Sequence, residues 1–125
     1  MSNEKPKILL AEDDQFICRA YKDGLSQAGF EVIVASNGGE AVEKIKSEKP
    51  DLLLLDLIMP LKSGFEVMEE IKQNKISNLP IMVLSNLSQE SDIKKSEELG
   101  AVDYIVKSNA TMRDVIEKIK DILNK

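Results

Sequence analysis

Four apolar runs in this chain each end on polar groups that could do chemistry. Glu12, Asp13 and Asp14 follow KILLA (7–11), Asp56 closes DLLLLD (51–56), Ser85 closes PIMVLS (80–85), and Lys107 follows VDYIV (102–106). Taken singly, an acid or a lysine after such a run is usually a solvated loop residue or a helix cap. Brought to one edge of a sheet, they form a crowded acidic site with a hydroxyl and an ammonium beside it. Two carboxylates about 4 Å apart repel by roughly 4 kcal/mol at an effective dielectric of about 20. Such a cluster must raise a pKa or recruit a cation. Oxygen donors without histidine or cysteine favour a hard ion, Mg²⁺ or Mn²⁺. A dication and an ammonium flanking one carboxylate make a seat for a transferring phosphoryl group, with Asp56 as the nucleophile and an aspartyl phosphate as the product.

Stepping from these residues to what must hold them, the chain alternates short strand-like runs with amphipathic helical ones, five times over. The strand-like runs are 7–11, 31–35, 51–56, 80–85 and 102–106, and three are almost wholly apolar, as parallel strands covered on both faces should be. Between them, Phe16, Ile17, Ala20, Tyr21, Leu25 and Ala28 recur at helical spacing before Gly29. Ala41, Val42 and Ile45 form a second stripe ahead of Pro50, and Asn37-Gly38-Gly39 reads as a turn and helix entry. Phe65, Val67, Met68 and Ile71 form a third, entered through Ser63 as a cap. The stretch 91–99 is weak, with Ile93 and Leu99 its only large apolar residues. The last helix is strong: Met112, Val115, Ile116, Ile119, Ile122 and Leu123 share a face. A (βα)5 order predicts right-handed crossovers and a doubly wound parallel α/β sheet, whose ligands collect outside the carboxyl ends of the strands.

Composition narrows the function further. The length of 125 residues suits a single domain, with residues 1–6 as a short mobile arm. The hydrophobic share of 42% and charged share of 31% point to a soluble globular chain. No apolar run approaches the about 20 residues that span a bilayer, and the polar start lacks a secretion signal, so a cytoplasmic protein is expected. The lone Cys18 permits no internal disulfide and reads as a small buried helix residue. A formal net charge of −5 disfavours nucleic acid as a partner. The absence of histidine removes Ser-His and Cys-His mechanisms, and it places any phosphohistidine donor on another protein.

At this point the sequence resembles the response-regulator receiver family of two-component signalling. The matching stretches are ILLAEDD (8–14), LLLLDLIMP (52–60) with Ser63-Gly64, PIMVLS (80–85) and GAVDYIVK (100–107), spaced so that the resemblance runs over essentially the whole chain. The resemblance implies a flavodoxin-like receiver fold with strand order 2-1-3-4-5. It implies Asp56 as phosphoacceptor, with Glu12, Asp13, Asp56 and the Ile58 main-chain carbonyl holding Mg²⁺. Ser85 is then the hydroxyl that follows the phosphoryl group, Lys107 its ion-pair partner and Tyr104 the switching aromatic. The implied partners are a histidine kinase or histidine phosphotransfer protein, and an output protein met through the fourth helix, fifth strand and fifth helix. A stand-alone receiver is expected, not a conventional enzyme. Asp14, at the start of the first helix, is better read as a cap favoured by the dipole.

Three departures from the receiver pattern stand out. Asn86 follows Ser85 where Ala or Gly is common. Ser108 follows Lys107 where proline is usual, in a bond that is typically cis; before serine a cis bond costs about 3–4 kcal/mol, so trans is predicted. Ile58 and Leu87, expected to flank the phosphoryl group, are both apolar and suited to excluding water, which predicts slow self-dephosphorylation. The sequence leaves two rival readings open. One is a degenerate receiver serving as a constitutive interaction module. The other is an aspartyl-phosphate hydrolase, opposed by the absence of an acid two residues after Asp56 to protonate a leaving group.

Overall fold

A computed structural model describes residues 5–76 and 78–124. Element order is β1 (Lys7–Ala11), α1 (Gln15–Gln27), β2 (Glu31–Ala35), α2 (Gly38–Glu48), β3 (Leu52–Leu55), α3 (Gly64–Gln73), β4 (Ile81–Ser85), α4 (Glu90–Glu98), β5 (Asp103–Val106), a 3-10 turn (Lys107–Asn109) and α5 (Met112–Leu123). The five strands form one parallel sheet in the order β2-β1-β3-β4-β5. This is the predicted doubly wound α/β fold. Of the expected N-terminal arm, residues 1–4 lie outside the described residues, and the Pro6 carbonyl already accepts from the Glu31 amide at 2.9 Å.

The period-two geometry of a strand divides the unbroken run Leu52–Leu55 between two cores. Leu53 and Leu55 join Leu9, Val83 and the apolar faces of α2 and α3, while Leu52 and Leu54 join Ile8, Leu10, Met82, Leu84, α1 and α5. All four leucines are fully buried. Burying a leucine contributes about 1.5–3 kcal/mol, so a central strand of this composition anchors both layers.

Helix boundaries follow local chemistry. Asp14 caps α1, its carboxylate accepting from the amides of Phe16 and Ile17, as its place after β1 suggested. Asn37 caps α2, and Ser63 and Thr111 open α3 and α5 with reciprocal capping boxes through Glu66 and Asp114. Helix α4 has no side-chain cap, and Ser96 is its only buried residue.

The predicted stripe on α1 needs one correction. Phe16 is 86% exposed and Ala20 is exposed, while Cys18, Tyr21, Leu25 and Ala28 pack inward. With the first turn anchored by Asp14 through the amides of Phe16 and Ile17, the Phe16 side chain faces solvent. Cys18 is half-buried, not fully enclosed.

Candidate functional site at the carboxyl edge of the sheet

The three central strands deliver their terminal residues to one place. Backbone pairing sets the register: the Glu12 amide donates to the Ala35 carbonyl and the Asp56 amide to the Ala11 carbonyl, so both acids leave the sheet at the same level. Glu12 is 2% exposed, Asp56 7% and Ser85 fully buried. Asp13 projects from the same corner but is exposed. One carboxylate oxygen from each of Glu12, Asp13 and Asp56 lies within 4.8 Å of the others.

Lys107 arrives from the end of β5 and is 10% exposed. Its ammonium donates to Asp56 Oδ2 at 3.1 Å and forms a close ion pair with Glu12 Oε1. Burial works against the lysine's charge, but the bond to Glu12 and the charges of Asp56 and Glu12 outweigh it and hold its pKa above the ordinary value. Burial pushes the Glu12 carboxyl up, against the opposing pull of Lys107 and of the Asp14 amide, and the Asp56 charge adds to the rise. Three carboxylates therefore share one ammonium, two of them cut off from water. The corner is short of positive charge, and its donors are all oxygen. A hard divalent cation fits both facts.

The chain after Asp56 folds back tightly. The Ile58 amide lies 3.4 Å from Asp56 Oδ1, and the Gly64 amide donates to the Leu57 carbonyl at 3.0 Å. A Cβ on Gly64 would stand 2.4 Å from the Asp56 carbonyl oxygen and 2.8 Å from Leu57 Cα. Only glycine lets α3 begin this close to the acid. Similarly, a Cβ on Gly38 would sit 2.2 Å from the Lys62 carbonyl, where the start of α2 supports the same loop. In the sequence Gly64 belongs to a motif and Gly38 to a turn, and their packing role has no signal beyond a glycine at each helix entry.

Ser85 Oγ accepts from the Leu87 amide at 3.2 Å, which leaves its hydroxyl proton for another acceptor. Tyr104 is half-buried, and its hydroxyl donates to the Leu87 carbonyl at 2.5 Å. Burial, then the charge of Asp92, raise the Tyr104 pKa, so the phenol stays a donor at neutral pH. Leu87 thus touches Ser85 through its amide and Tyr104 through its carbonyl. Of the two apolar residues expected to flank the site, Leu87 is half-buried and Ile58 is 61% exposed. No peptide bond among the described residues is cis, in line with the trans Lys107–Ser108 bond predicted. The two unusual residues Asn86 and Ser108 meet: the Ser108 amide donates to Asn86 Oδ1 at 3.1 Å.

The family model for the response regulator receiver domain matches residues 8–120. The chain is 38% identical over 119 residues to the alkaline phosphatase synthesis transcriptional regulatory protein PhoP of Bacillus subtilis, a match covering 95% of this chain and 49% of that protein. It is 37% identical over 125 residues to the probable transcriptional regulator ycf27 of Pyropia yezoensis, covering 100% and 50%. The chain therefore spans about half the length of the curated relatives it matches. Among solved structures, a CheY-like response regulator receiver domain protein of Methanospirillum hungatei superposes with a TM-score of 0.89 at 30% identity, covering 97% of this chain and 95% of that one. The BeF3-activated N-terminal receiver domain of Klebsiella pneumoniae RstA gives 0.88 at 30% identity, covering 95% and 99%. Fold, strand order and sequence agree over nearly the full length, and the chain belongs to the response regulator receiver domain family of two-component systems.

Proposed function

We propose that this receiver domain accepts a phosphoryl group on Asp56 from a phosphohistidine of a partner kinase or phosphotransfer protein. The observation that carries the reading is the setting of Asp56: a nearly buried carboxylate held at 3.1 Å by an ammonium, in a corner with two further carboxylates. In the transfer, a carboxylate oxygen of Asp56 forms the new bond to phosphorus as the donor's P–N bond breaks. The leaving imidazole nitrogen keeps the electron pair. Glu12, Asp13 and Asp56, with the Ile58 carbonyl as the resemblance implies, would hold Mg²⁺ or Mn²⁺. When bound, the ion supplies positive charge to the phosphoryl oxygens. Lys107 keeps its proton and pairs with an oxygen of the transferred group, and the hydroxyl proton of Ser85 reaches another.

Phosphorylation adds about −1.5 to −2 charge at this corner. A turn of Ser85 toward it pulls on Leu87, whose carbonyl holds the Tyr104 hydroxyl, so Tyr104 is released to repack. The face formed by α4, β5 and α5 then changes and meets the output partner. The sparse burial of α4 favours such movement. The curated relatives PhoP and ycf27 are named as transcriptional regulators, and this chain spans about half of their length. The domain acts as a switch and not as a conventional enzyme. Ile58 and Leu87 beside the acyl phosphate offer no group to orient water, and its hydrolysis is slow; Ile58→Asn is expected to speed it.

Intact-mass measurement after acetyl phosphate and Mg²⁺ tests the proposal. Wild type gains one phosphoryl group and Asp56→Asn gains none. Equal gain by both would move the acceptor away from Asp56, and gain by neither from any donor would favour the constitutive interaction module.

A further inference from the structure

Beyond Ser85 and Val106, which face each other at the last rung between β4 and β5, the ladder has no further backbone pair. The chain leaving β5 enters the one-turn segment Lys107–Asn109, which has no side-chain cap of its own and is closed by a long bond, Ala110 amide to Lys107 carbonyl at 3.4 Å. A single 3-10 turn this loosely closed fixes its first residue poorly. Lys107 nevertheless must present its ammonium to two buried oxygens. The contact that extends the β4–β5 pairing by one step is the bond from the Ser108 amide to Asn86 Oδ1, 3.1 Å long and 22 residues apart in sequence. It satisfies an N-terminal amide of the turn that would otherwise face solvent. It also joins the residue after Ser85 to the residue after Lys107.

We propose that Asn86 is a positioning residue for Lys107: its side-chain oxygen holds the Ser108 amide, so the turn bearing the ammonium and the loop following Ser85 move as one body. Any displacement of Ser85 is then passed to Lys107 through one side chain. This rests on the reading of Asp56 as acceptor, but the placement of Lys107 can be read without it.

The test compares Asn86→Leu, nearly the same shape without an acceptor, with Asn86→Asp, which keeps an oxygen at the same reach. It adds Ser108→Pro, which removes the donor, alone and combined with Asn86→Leu. Two readouts are taken on each protein: the rate of phosphorylation by acetyl phosphate with Mg²⁺, and the acetylation rate of Lys107 by acetic anhydride, followed by peptide mass spectrometry. Asn86→Leu is expected to slow phosphorylation about threefold to tenfold, the span of one neutral hydrogen bond, and to speed Lys107 acetylation by a similar factor. Asn86→Asp is expected to keep Lys107 protected, and Asn86→Leu to change nothing further once Ser108 is proline. Unaltered Lys107 acetylation in Asn86→Leu, or equal effects of that change with and without the Ser108 amide, would overturn the proposal. If wild type is not phosphorylated at all, the acceptor reading fails, and the acetylation rates still decide the role of Asn86.

Discussion

Replacing Lys107 with methionine removes the single ammonium of the acidic corner while keeping the length of the side chain. The lysine side chain is 10% exposed, and the side chains of its partners Glu12 and Asp56 are 2% and 9% exposed, so solvent screens the loss little. Breaking a buried pair from one side costs about 3–5 kcal/mol when the orphaned charge has no escape. Here it has one. Glu12, already displaced upward by burial, can take up a proton, which brings the expected loss to about 2–4 kcal/mol near neutral pH. The sign of the pH dependence follows. A carboxyl whose folded pKa lies above its unfolded value binds more protons when folded, so the variant gains stability as pH falls. In wild type, the raised Lys107 pKa keeps its contribution whole below the ordinary lysine range and loses it only as pH climbs through the raised value. The deficit of Lys107→Met should therefore shrink between about pH 7.5 and about pH 5.5. It should also shrink on adding Mg²⁺, which replaces the missing charge. Urea unfolding of both proteins under the four conditions measures this. A deficit under about 1 kcal/mol, or one equal at both pH values, would refute the claim that the corner is short of positive charge.

Other consequences are as direct. Gly64→Ala forces a methyl to within 2.4 Å of the Asp56 carbonyl and should cost about 1–3 kcal/mol in urea unfolding; a neutral result would mean that α3 can retreat from the acid without penalty. Leu61 is 82% exposed and holds a left-handed backbone at φ 71, so Leu61→Gly surrenders no core. Relief of roughly 1–2 kcal/mol of strain against about 0.4–1 kcal/mol of added unfolded-chain entropy should leave the variant more stable by up to about 1.5 kcal/mol, and a fall in Tm would contradict this. The Cys18 thiol donates to the Glu12 carbonyl, and burial, with the charges of Glu12, Asp14 and Asp13, pushes its pKa up to about 11. Iodoacetamide should therefore modify it roughly a hundredfold more slowly than a free thiol at neutral pH, and rapid labelling would show the thiol to be more open than its contacts imply.

The order of elements was legible because five apolar runs alternated with helical stripes, and a parallel sheet requires that pattern. Strand-end polar residues could be named from sequence for the same reason: a residue closing a buried strand has only the sheet edge to occupy. The position of Asp14 at the start of the first helix suggested a cap, and its carboxylate does accept from the Phe16 and Ile17 amides. Rotation of α1 was not legible, because Phe16 and Ala20 fit an apolar period that the cap then turns outward. Close approaches were equally hidden. A glycine at 64 says that some atom comes near, and not that the atom is the carbonyl of Asp56. Asn86 and Ser108 each looked like a separate departure from the receiver pattern, and only folding places the amide of one on the oxygen of the other.

Borohydride trapping tests the central claim most directly. The chain is incubated with acetyl phosphate and Mg²⁺, reduced, digested and sequenced by mass spectrometry, so that any phosphorylated aspartate is recovered as homoserine. The expected result is homoserine at position 56 and nowhere else. Conversion at another acid, or none in a chain that has gained a phosphoryl group, would contradict the assignment of Asp56 as acceptor.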